Sequence, residues 1–192
     1  MALQISDKKQ LKQVFPKALH PAVQEALCGL SFADANPPQW WSQPLNLSGE
    51  QIRLPYRINA QTTQAYASLA QTPRLIADCL MTRHYDGRVR QHHLRNLAQP
   101  LPLWAVPFVV RLVGEYVLEI IDDIEANFDE SHSTEFAQFL NHNRPFVTLT
   151  SQRVTSYWNC YYRGRFPIRT DYAGFRVLDR WQRWIQNQEP AV

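Results

Sequence analysis

Residues 103–125 read LWAVPFVVRLVGEYVLEIIDDIE, an apolar run interrupted by a few charged side chains. The charged residues Arg111, Glu115, Glu119 and Asp122 follow one another at spacings of four, four and three. On an α-helix these spacings place all four side chains on one stripe, while the remaining surface stays apolar. The pattern predicts one long helix that is buried on most sides and around which the other helices pack.

The rest of the chain also favours helices, so we expect an all-α fold. After residue 61, apolar side chains recur at helical intervals in segments 62–70, 72–84, 89–97, 134–142, 144–163 and 171–186. Earlier in the chain we expect two short helices up to residue 29, a loop containing Trp40 and Trp41, and no proper sheet. The predicted architecture is one domain of about seven or eight helices, a short α-solenoid stack or an irregular helical bundle, in which residues 1–60 pack on a helical core of residues 61–192.

Composition excludes some classes of protein. The chain of 192 residues is 45% hydrophobic and 19% charged, which is typical of a globular protein and not of wholesale disorder. A charged side chain at the centre of a bilayer costs about 2.5 to 3.5 kcal/mol, so the charges inside residues 103–125 argue against a membrane span. The first 30 residues lack the apolar core of a secretory signal, and we expect a cytoplasmic protein.

Cys28, Cys79 and Cys160 show no metal-binding or redox spacing and are expected to be buried thiols.

The charges are unevenly distributed along the sequence. All four lysines lie within the first 17 residues, residues 113–135 hold eight carboxylates and no Lys or Arg, and residues 141–192 hold eight arginines. We expect the acidic and basic zones to pair within the molecule or with a second copy, in preference to forming a nucleic-acid patch.

One candidate site is the polar cluster of Arg111, Glu115, Glu119 and Asp122, joined by His84. Carboxylates one turn apart on a helix can hold a divalent cation or divide acid and base roles between them. A helical carboxylate centre normally takes matching ligands from a second helix, and the sequence shows none. We therefore predict neither a metal nor a cofactor, and expect the stripe to pair with arginines.

Histidines and arginines lie close together in the segment RHYDGRVRQHHLR, residues 83–95. His92 and His93 are adjacent, so on a helix they point in different directions and do not form a metal pincer. A proton-transfer role for His84 remains open, although a hydrogen-bonded structural histidine is favoured.

A third candidate combines aromatic residues with arginines in SYWNCYYRGRFPIR, residues 156–169. Such mixtures stack bases or grip phosphates, and they also form protein interfaces. Helical spacing predicts that Trp158 and Tyr161 face the core. The candidate binding surface is then Tyr162, Arg163, Arg165, Arg169 and, on the outward face of the terminal helix, Arg176, Arg180 and Arg183.

Around Asp86 the chain resembles a HEAT-type helical repeat, whose second helix typically opens with Asp, then Val-Arg, then a later Leu. Asp86, Val89, Arg90 and Leu97 match those places over about a dozen residues, and His93 stands where the family prefers Ala. The resemblance implies structural roles for Asp86 and Arg90, which would hold the start of the helix and an adjoining repeat. The wider sequence also resembles bacterial proteins of undefined role.

These observations favour a non-enzymatic protein-binding or scaffold module whose partner is another protein or a second copy of the chain, as in a homo-oligomer. The first alternative is a nucleic-acid-binding helical repeat that uses the arginine-rich C-terminal third. The second is a metal-dependent hydrolase that uses Glu115, Glu119 and His84. The chain has no phosphate-binding glycine loop, no GxSxG and no HExxH motif, which lowers the case for an enzyme.

Overall fold

The computed structural model describes residues 10–33 and 42–188. The chain divides into two compact units, residues 1–97 (unit 1) and 98–192 (unit 2). The predicted boundary at residue 60 lies inside unit 1, and the single domain stays a prediction. The described residues are mostly helical, in agreement with the predicted class. The expectation for Trp40 and Trp41 lies outside the described residues.

Three helices form the core of unit 1: α1 (His20–Ala26), α2 (Gln71–Met81) and α3 (Gly87–Asn96). Pro21 lies in the first turn of α1, where its missing N–H costs no hydrogen bond. Helix α2 packs between α1 and α3. Its apolar side chains, including Ile76 and Leu80, are fully buried.

Unit 1 also contains two small antiparallel sheets, so the expectation of no proper sheet was wrong. Strand β1 (Leu30–Phe32) pairs with β4 (Ala60–Thr62), and β2 (Leu45–Leu47) pairs with β3 (Glu50–Ile52). The second pair is a hairpin, because Ser48 and Gly49 both adopt positive φ, at 51° and 88°. The Ser-Gly dipeptide between alternating apolar residues was the available sequence signal.

The helix predicted over residues 62–70 was also wrong. Thr62 ends strand β4, and only a short 3₁₀ turn follows, at Gln64–Ser68. Leu69, at the end of this turn, would lie 2.7 Å from a Cβ placed on Gly29. The close approach shows that packing against the chain just before β1 overrides the local helical pattern.

Unit 2 contains five helices among the described residues: α4 (Val106–Val113), α5 (Leu118–Asn127), α6 (Ser133–His142), α7 (Arg144–Tyr157) and α8 (Ala173–Gln188). Helix α8 packs against α5, α6 and α7, and α4 packs against α5, α6 and α7. Val177, Trp181, Trp184 and Ile185 are the buried side chains of α8 in its later turns. They recur at helical spacing and explain the strongly amphipathic sequence of this helix.

The apolar run at 103–125 is divided into two helices, so the prediction of one continuous helix was wrong. Helix α4 ends at Val113, and Val117 is extended before α5 begins at Leu118. A Cβ on Gly114 would lie 3.4 Å from Thr150 Cγ2, which shows that α7 passes close to the break. The predicted burial is confirmed for α4, in which all eight residues are buried.

The structure also bears on the predictions about a membrane span and about the three cysteines. No helix of the described residues combines the length and apolar character needed to cross a bilayer. Cys79 is buried as predicted, but Cys28 and Cys160 are exposed, so their predicted burial was wrong.

Candidate functional site

Unit 1 contains a buried hydrogen-bond network centred on Asp78 of α2. The Oδ1 atom of Asp78 lies 2.6 Å from the Tyr66 hydroxyl, 2.6 Å from Nδ1 of His93 and 2.9 Å from Nδ2 of Asn96. A carboxylate only accepts hydrogen bonds, so His93 carries its proton on Nδ1. Burial and then Asp78 raise the pKa of Tyr66 to about 12, which keeps the hydroxyl a donor.

The Asp78–His93 pair has the arrangement that orients a histidine for general-base chemistry, in which a carboxylate holds Nδ1 and leaves Nε2 as the acceptor. Both residues are at least 95% buried. Cys79 follows Asp78 on α2, but burial raises the pKa of its thiol and disfavours the nucleophilic thiolate. The donors of this network, Tyr66, His93 and Asn96, all bond to Asp78. The network is therefore best explained as a structural connection between α2, α3 and the 3₁₀ turn that contains Tyr66.

The turn between α2 and α3 is held by His84, Asp86 and Arg90. Nδ1 of His84 accepts a hydrogen bond from the Asp86 N–H at 3.0 Å, and Asp86 accepts one from the Arg88 N–H at 2.8 Å. Arg90 is buried and donates to the carbonyls of His84 and Tyr85 at 2.9 and 2.8 Å. Burial lowers the pKa of His84, so its ring stays neutral while it accepts this bond. Asp86 and Arg90 thus stabilise the start of α3.

The residues of the predicted polar cluster have different environments. Arg111 and Glu115 are buried in unit 2, whereas Glu119 and Asp122 are exposed on α5. His84 belongs to unit 1. Partial desolvation of the carboxyl group and the nearby Glu125 raise the pKa of Asp122, while Arg176 and Arg165 oppose this shift. Among the described residues, no three His, Cys, Asp or Glu side chains lie close enough together to hold a metal ion.

Unit 2 presents a group of tyrosine rings on its surface. The ring centroids of Tyr116, Tyr157 and Tyr161 lie 6.0 to 6.4 Å from one another, and the Tyr157 and Tyr161 rings are stacked at 28°. Tyr116 is 55% exposed and Tyr161 is 68% exposed. We use the name tyrosine–arginine face for the surface of Tyr116 and of the segment 157–169, namely Tyr116, Tyr157, Tyr161, Tyr162, Arg163, Arg165 and Arg169. Within it Arg163 and Arg169 bond to Asn159 and Thr155, on the side of the helix away from the Tyr157 and Tyr161 rings.

A π-helical turn at Trp158–Tyr162 builds this face. The Arg163 N–H donates to the carbonyl of Trp158, five residues earlier, at 2.8 Å. The wider turn shifts the side chains relative to α-helical spacing. Trp158 is therefore buried while Tyr161 is exposed, and the prediction that Tyr161 faces the core was wrong.

Tyr162 connects the face to the interior of unit 2. Its hydroxyl donates to the carbonyl of Tyr116, and its ring stacks on buried Tyr172 with centroids 5.3 Å apart. Burial raises the pKa of Tyr162, so the hydroxyl keeps its proton. This contact ties the break after α4 to the end of the π turn.

The three arginines of the face lie against aromatic rings. The guanidinium carbon of Arg163 is 5.6 Å from the Trp158 ring, that of Arg165 is 5.0 Å from Phe166, and that of Arg169 is 4.5 Å from Phe175. The acceptors of Arg163 and Arg169 are neutral, namely the side-chain oxygens of Asn159 and Thr155. Within the part of the chain that the structure describes, none of the three arginines forms a salt bridge with a carboxylate.

The other predicted surface arginines behave differently. Arg176 binds Glu125 through two hydrogen bonds of 2.5 and 2.6 Å, and Glu125 raises the pKa of Arg176. Arg180 donates to the carbonyls of Glu125 and Phe128 and so caps the end of α5. Arg176 and Arg180 are half-buried by these contacts, whereas Arg183 is exposed as predicted. Through these contacts the acidic zone (residues 113–135) and the basic zone (residues 141–192) pair with each other inside unit 2.

Sequence reasoning missed several residues of both regions. Asp78, Tyr66 and Asn96 were not singled out, because their contacts join residues 12 to 30 positions apart. Tyr116 and Tyr157 were not included in the binding surface. The Gly114 that precedes Tyr116 was the available signal, since a glycine inside an apolar run indicates a break or a close approach.

Comparison with known proteins identified no relative of the chain. No protein-family model matches the chain, and neither a curated protein nor a solved structure matches it significantly.

Proposed function

We propose that the chain is a non-enzymatic protein-binding module and that the tyrosine–arginine face is its contact surface. The observation that carries the proposal is the exposure of a contiguous group of tyrosine rings, Tyr116, Tyr157 and Tyr161, on the surface of unit 2. Tyrosine and arginine are enriched at the energetically dominant centres of protein interfaces.

Charge favours a protein partner over a nucleic acid. Residues 98–192 contain nine arginines, no lysine and eleven carboxylates, a formal net charge of −2. Nucleic-acid affinity depends on neutralising many phosphates, which a negatively charged unit does poorly. Arg176 and Arg180, which the nucleic-acid alternative requires, are already bonded within unit 2.

The helix pair α2–α3 supports a HEAT-like arrangement as part of the same proposal. These helices pack against each other, and Asp86 and Arg90 hold the turn between them. We also place the protein in a reducing compartment such as the cytoplasm, because its three cysteines are free thiols.

Site-specific photo-crosslinking in cells tests the proposal. A benzophenone amino acid replaces Tyr161 in one variant and Tyr85 in the control, since Tyr85 is 62% exposed and lies outside the face. We expect protein adducts at position 161 that are absent at position 85. An adduct of twice the chain mass identifies a second copy as the partner, and any other mass identifies a different protein. Equal or absent adducts at the two positions contradict the proposed function.

A further inference from the structure

We infer that unit 1 contains a binding site for a small aromatic carboxylate, in a surface cavity of about 280 Å³ lined by Arg57, Ile58, Asn59 and Tyr85. The inference is independent of the proposed function, because the tyrosine–arginine face belongs to unit 2. Three observations support it: the two sides of the cavity are held in place, the lining combines a cation with an aromatic ring, and the segments that form it are strongly basic.

Two segments of the chain form the cavity, and backbone hydrogen bonds join them directly. Ile58 and His84 form a parallel β-bridge. In this bridge the Ile58 N–H donates to the Arg83 carbonyl at 2.9 Å, and the Tyr85 N–H donates to the Ile58 carbonyl at 3.1 Å. The residues that line the two sides therefore cannot move apart unless these bonds break.

A buried arginine also holds each of the two segments. Arg83 is buried and donates to the carbonyls of the two residues that precede Arg57, at 3.2 and 2.7 Å. Arg90 is buried in the same way and donates to the carbonyl of Tyr85 at 2.8 Å. Because the backbone on both sides is fixed in advance, a ligand removes little conformational entropy from the protein when it binds.

Arg57 gives the lining a cation that can bind a carboxylate. Its guanidinium carbon lies 5.1 Å from the centre of the Tyr56 ring, and Nη1 donates to the Tyr56 carbonyl at 2.9 Å. Contact with the ring restricts the rotation of the guanidinium. A guanidinium carries five N–H donors in a planar fork that matches a carboxylate, so Arg57 can bind one beside its bond to Tyr56. Asn59 is half-buried in the same lining, and its amide can donate to a polar group of the ligand.

Tyr85 gives the lining an aromatic wall. Its ring lies against the His84 ring, with centroids 4.5 Å apart and an angle of 33° between the planes. This contact holds the ring in place, yet the side chain is still 62% exposed. The exposed part of a tyrosine ring can stack on a planar ligand, and buried Ile58 adds apolar surface to the same cavity.

Charge and size restrict the ligand. Segments 55–59 and 83–90, which form the cavity, contain four arginines and one carboxylate, that of Asp86. An excess of positive charge around a concave site favours an anion. At about 30 Å³ for each water molecule, the cavity has the volume of roughly nine waters. A single ring that carries a carboxylate, such as benzoate, is of this size, whereas drug-sized ligands occupy cavities of about 300 to 1,000 Å³.

Titration of the full-length protein, followed by amide NMR spectra, tests the inference. The first probe is benzoate. Benzamide keeps the ring without the charge, cyclohexanecarboxylate keeps the carboxylate without the aromatic ring, and inorganic phosphate is an anion without a ring. We expect benzoate to shift the amide signals of residues 57–59 and 85, and to bind at least about fivefold more tightly than each of the other three probes.

Variants of the lining locate the binding. Arg57→Gln removes the charge and should weaken benzoate binding more than about fivefold, whereas Arg57→Lys keeps the charge without the planar fork and should cause a smaller loss. Tyr85→Leu keeps an apolar side chain but removes the aromatic ring, and should weaken binding several-fold. The matched control Arg95→Gln changes an exposed arginine of α3 that does not line the cavity, and should leave affinity within about twofold. Circular dichroism checks that each variant stays folded.

The wild-type titrations alone can overturn the inference. If millimolar benzoate shifts no amide signal of the lining, or if benzamide binds equally well, the inference is wrong. Equal or tighter binding of cyclohexanecarboxylate or phosphate shows a site that recognises charge without a ring, and this result also contradicts the inference. A loss in Arg95→Gln as large as that in Arg57→Gln assigns the effect to the overall charge and not to the cavity. None of these results depends on cross-links at position 161, so the proposed function stands or fails separately.

Discussion

The buried network of unit 1 and the tyrosine–arginine face of unit 2 contain similar side chains with different partners. In unit 1, the hydroxyl of Tyr66 donates to Asp78, and buried Arg90 donates to two backbone carbonyls. On the face of unit 2, Tyr161 is mostly exposed and Arg165 forms no salt bridge with a described carboxylate, although its charge lowers the pKa of Asp122. The same residue types stabilise a fold when acceptors within the unit bind them, and remain available for a partner when no such acceptor does.

The comparison predicts opposite effects of mutation in the two regions. Substitutions in the buried network should lower the free energy of unfolding, whereas substitutions of exposed side chains on the face, such as Tyr161, should change binding and leave stability almost unchanged. The predictions below run from the largest expected effect on stability to the smallest.

Replacing Asp78 should have the largest effect. Asp78→Ala leaves the buried donors of Tyr66 and His93 without their shared acceptor, which should cost about 3 to 5 kcal/mol. Urea denaturation followed by circular dichroism measures the change. The control Asp179→Ala removes an exposed carboxylate of α8 and should change stability by less than about 0.5 kcal/mol. A loss for Asp78→Ala as small as that of the control would show that the network does not stabilise unit 1.

Gly174 tests the packing beneath the face. A Cβ at Gly174 would lie 2.6 Å from Cε1 of Tyr172 and 2.9 Å from Cγ1 of Val154, so Gly174→Ala should cost about 1 to 3 kcal/mol. The matched control is Gly164→Ala, since nothing lies within 4 Å of its added Cβ. Thermal unfolding of the two variants gives the comparison. Equal midpoints would mean that Tyr172 moves aside without cost.

Some parts of the fold follow from sequence alone and others do not. The burial of α4 was predictable because seven of its eight residues are apolar and such a helix is stable only when most of its surface is packed away from water. The break at Gly114 was missed although the glycine is a signal for it, because the apolar pattern continues on both sides and the close passage of α7 is a tertiary contact. The exposure of Tyr161 was missed for a related reason, since spacing rules assume a regular α-helix and the π turn departs from it.

The residue types of the candidate sites could be predicted from the sequence, but the bonds that join these residues to one another could not. The sequence pointed to aromatic and arginine residues in 156–169, and three of those arginines are on the face. It gave no means to separate Arg176, which binds Glu125 51 positions away, from Arg165. Contacts at that separation depend on how helices pack, and periodicity carries no information about which helix faces which.

Mutation of Arg176, which binds Glu125, can be compared with mutation of Arg165, which forms no salt bridge with a described carboxylate. Arg176→Ala removes the two-point contact with Glu125 and the hydrogen bond to the Thr170 carbonyl. Because the pair is partly exposed, we expect a loss of about 1 kcal/mol, discounted for solvent screening. Arg165→Ala should change stability by less than about 0.5 kcal/mol. A double-mutant cycle with Glu125→Ala isolates the pair, and a coupling energy near zero would contradict a structural role for Arg176.

The smallest predicted effect is a dependence of stability on pH that comes from His84. Burial lowers the pKa of this histidine below its ordinary value of 6.5, although the charge of Asp86 opposes the shift. The unfolded chain then binds more protons than the folded chain, so the stability contributed by neutral His84 is present above about pH 6.5 and declines as pH falls toward the lowered pKa. His84→Gln keeps an acceptor for the Asp86 N–H but cannot titrate, and its free energy of unfolding should fall less steeply over this range than that of the wild type. His92→Gln, which changes an exposed histidine of the same segment, is the control and should follow the wild type. Parallel curves for His84→Gln and the wild type would show that His84 takes up its proton without disturbing the turn.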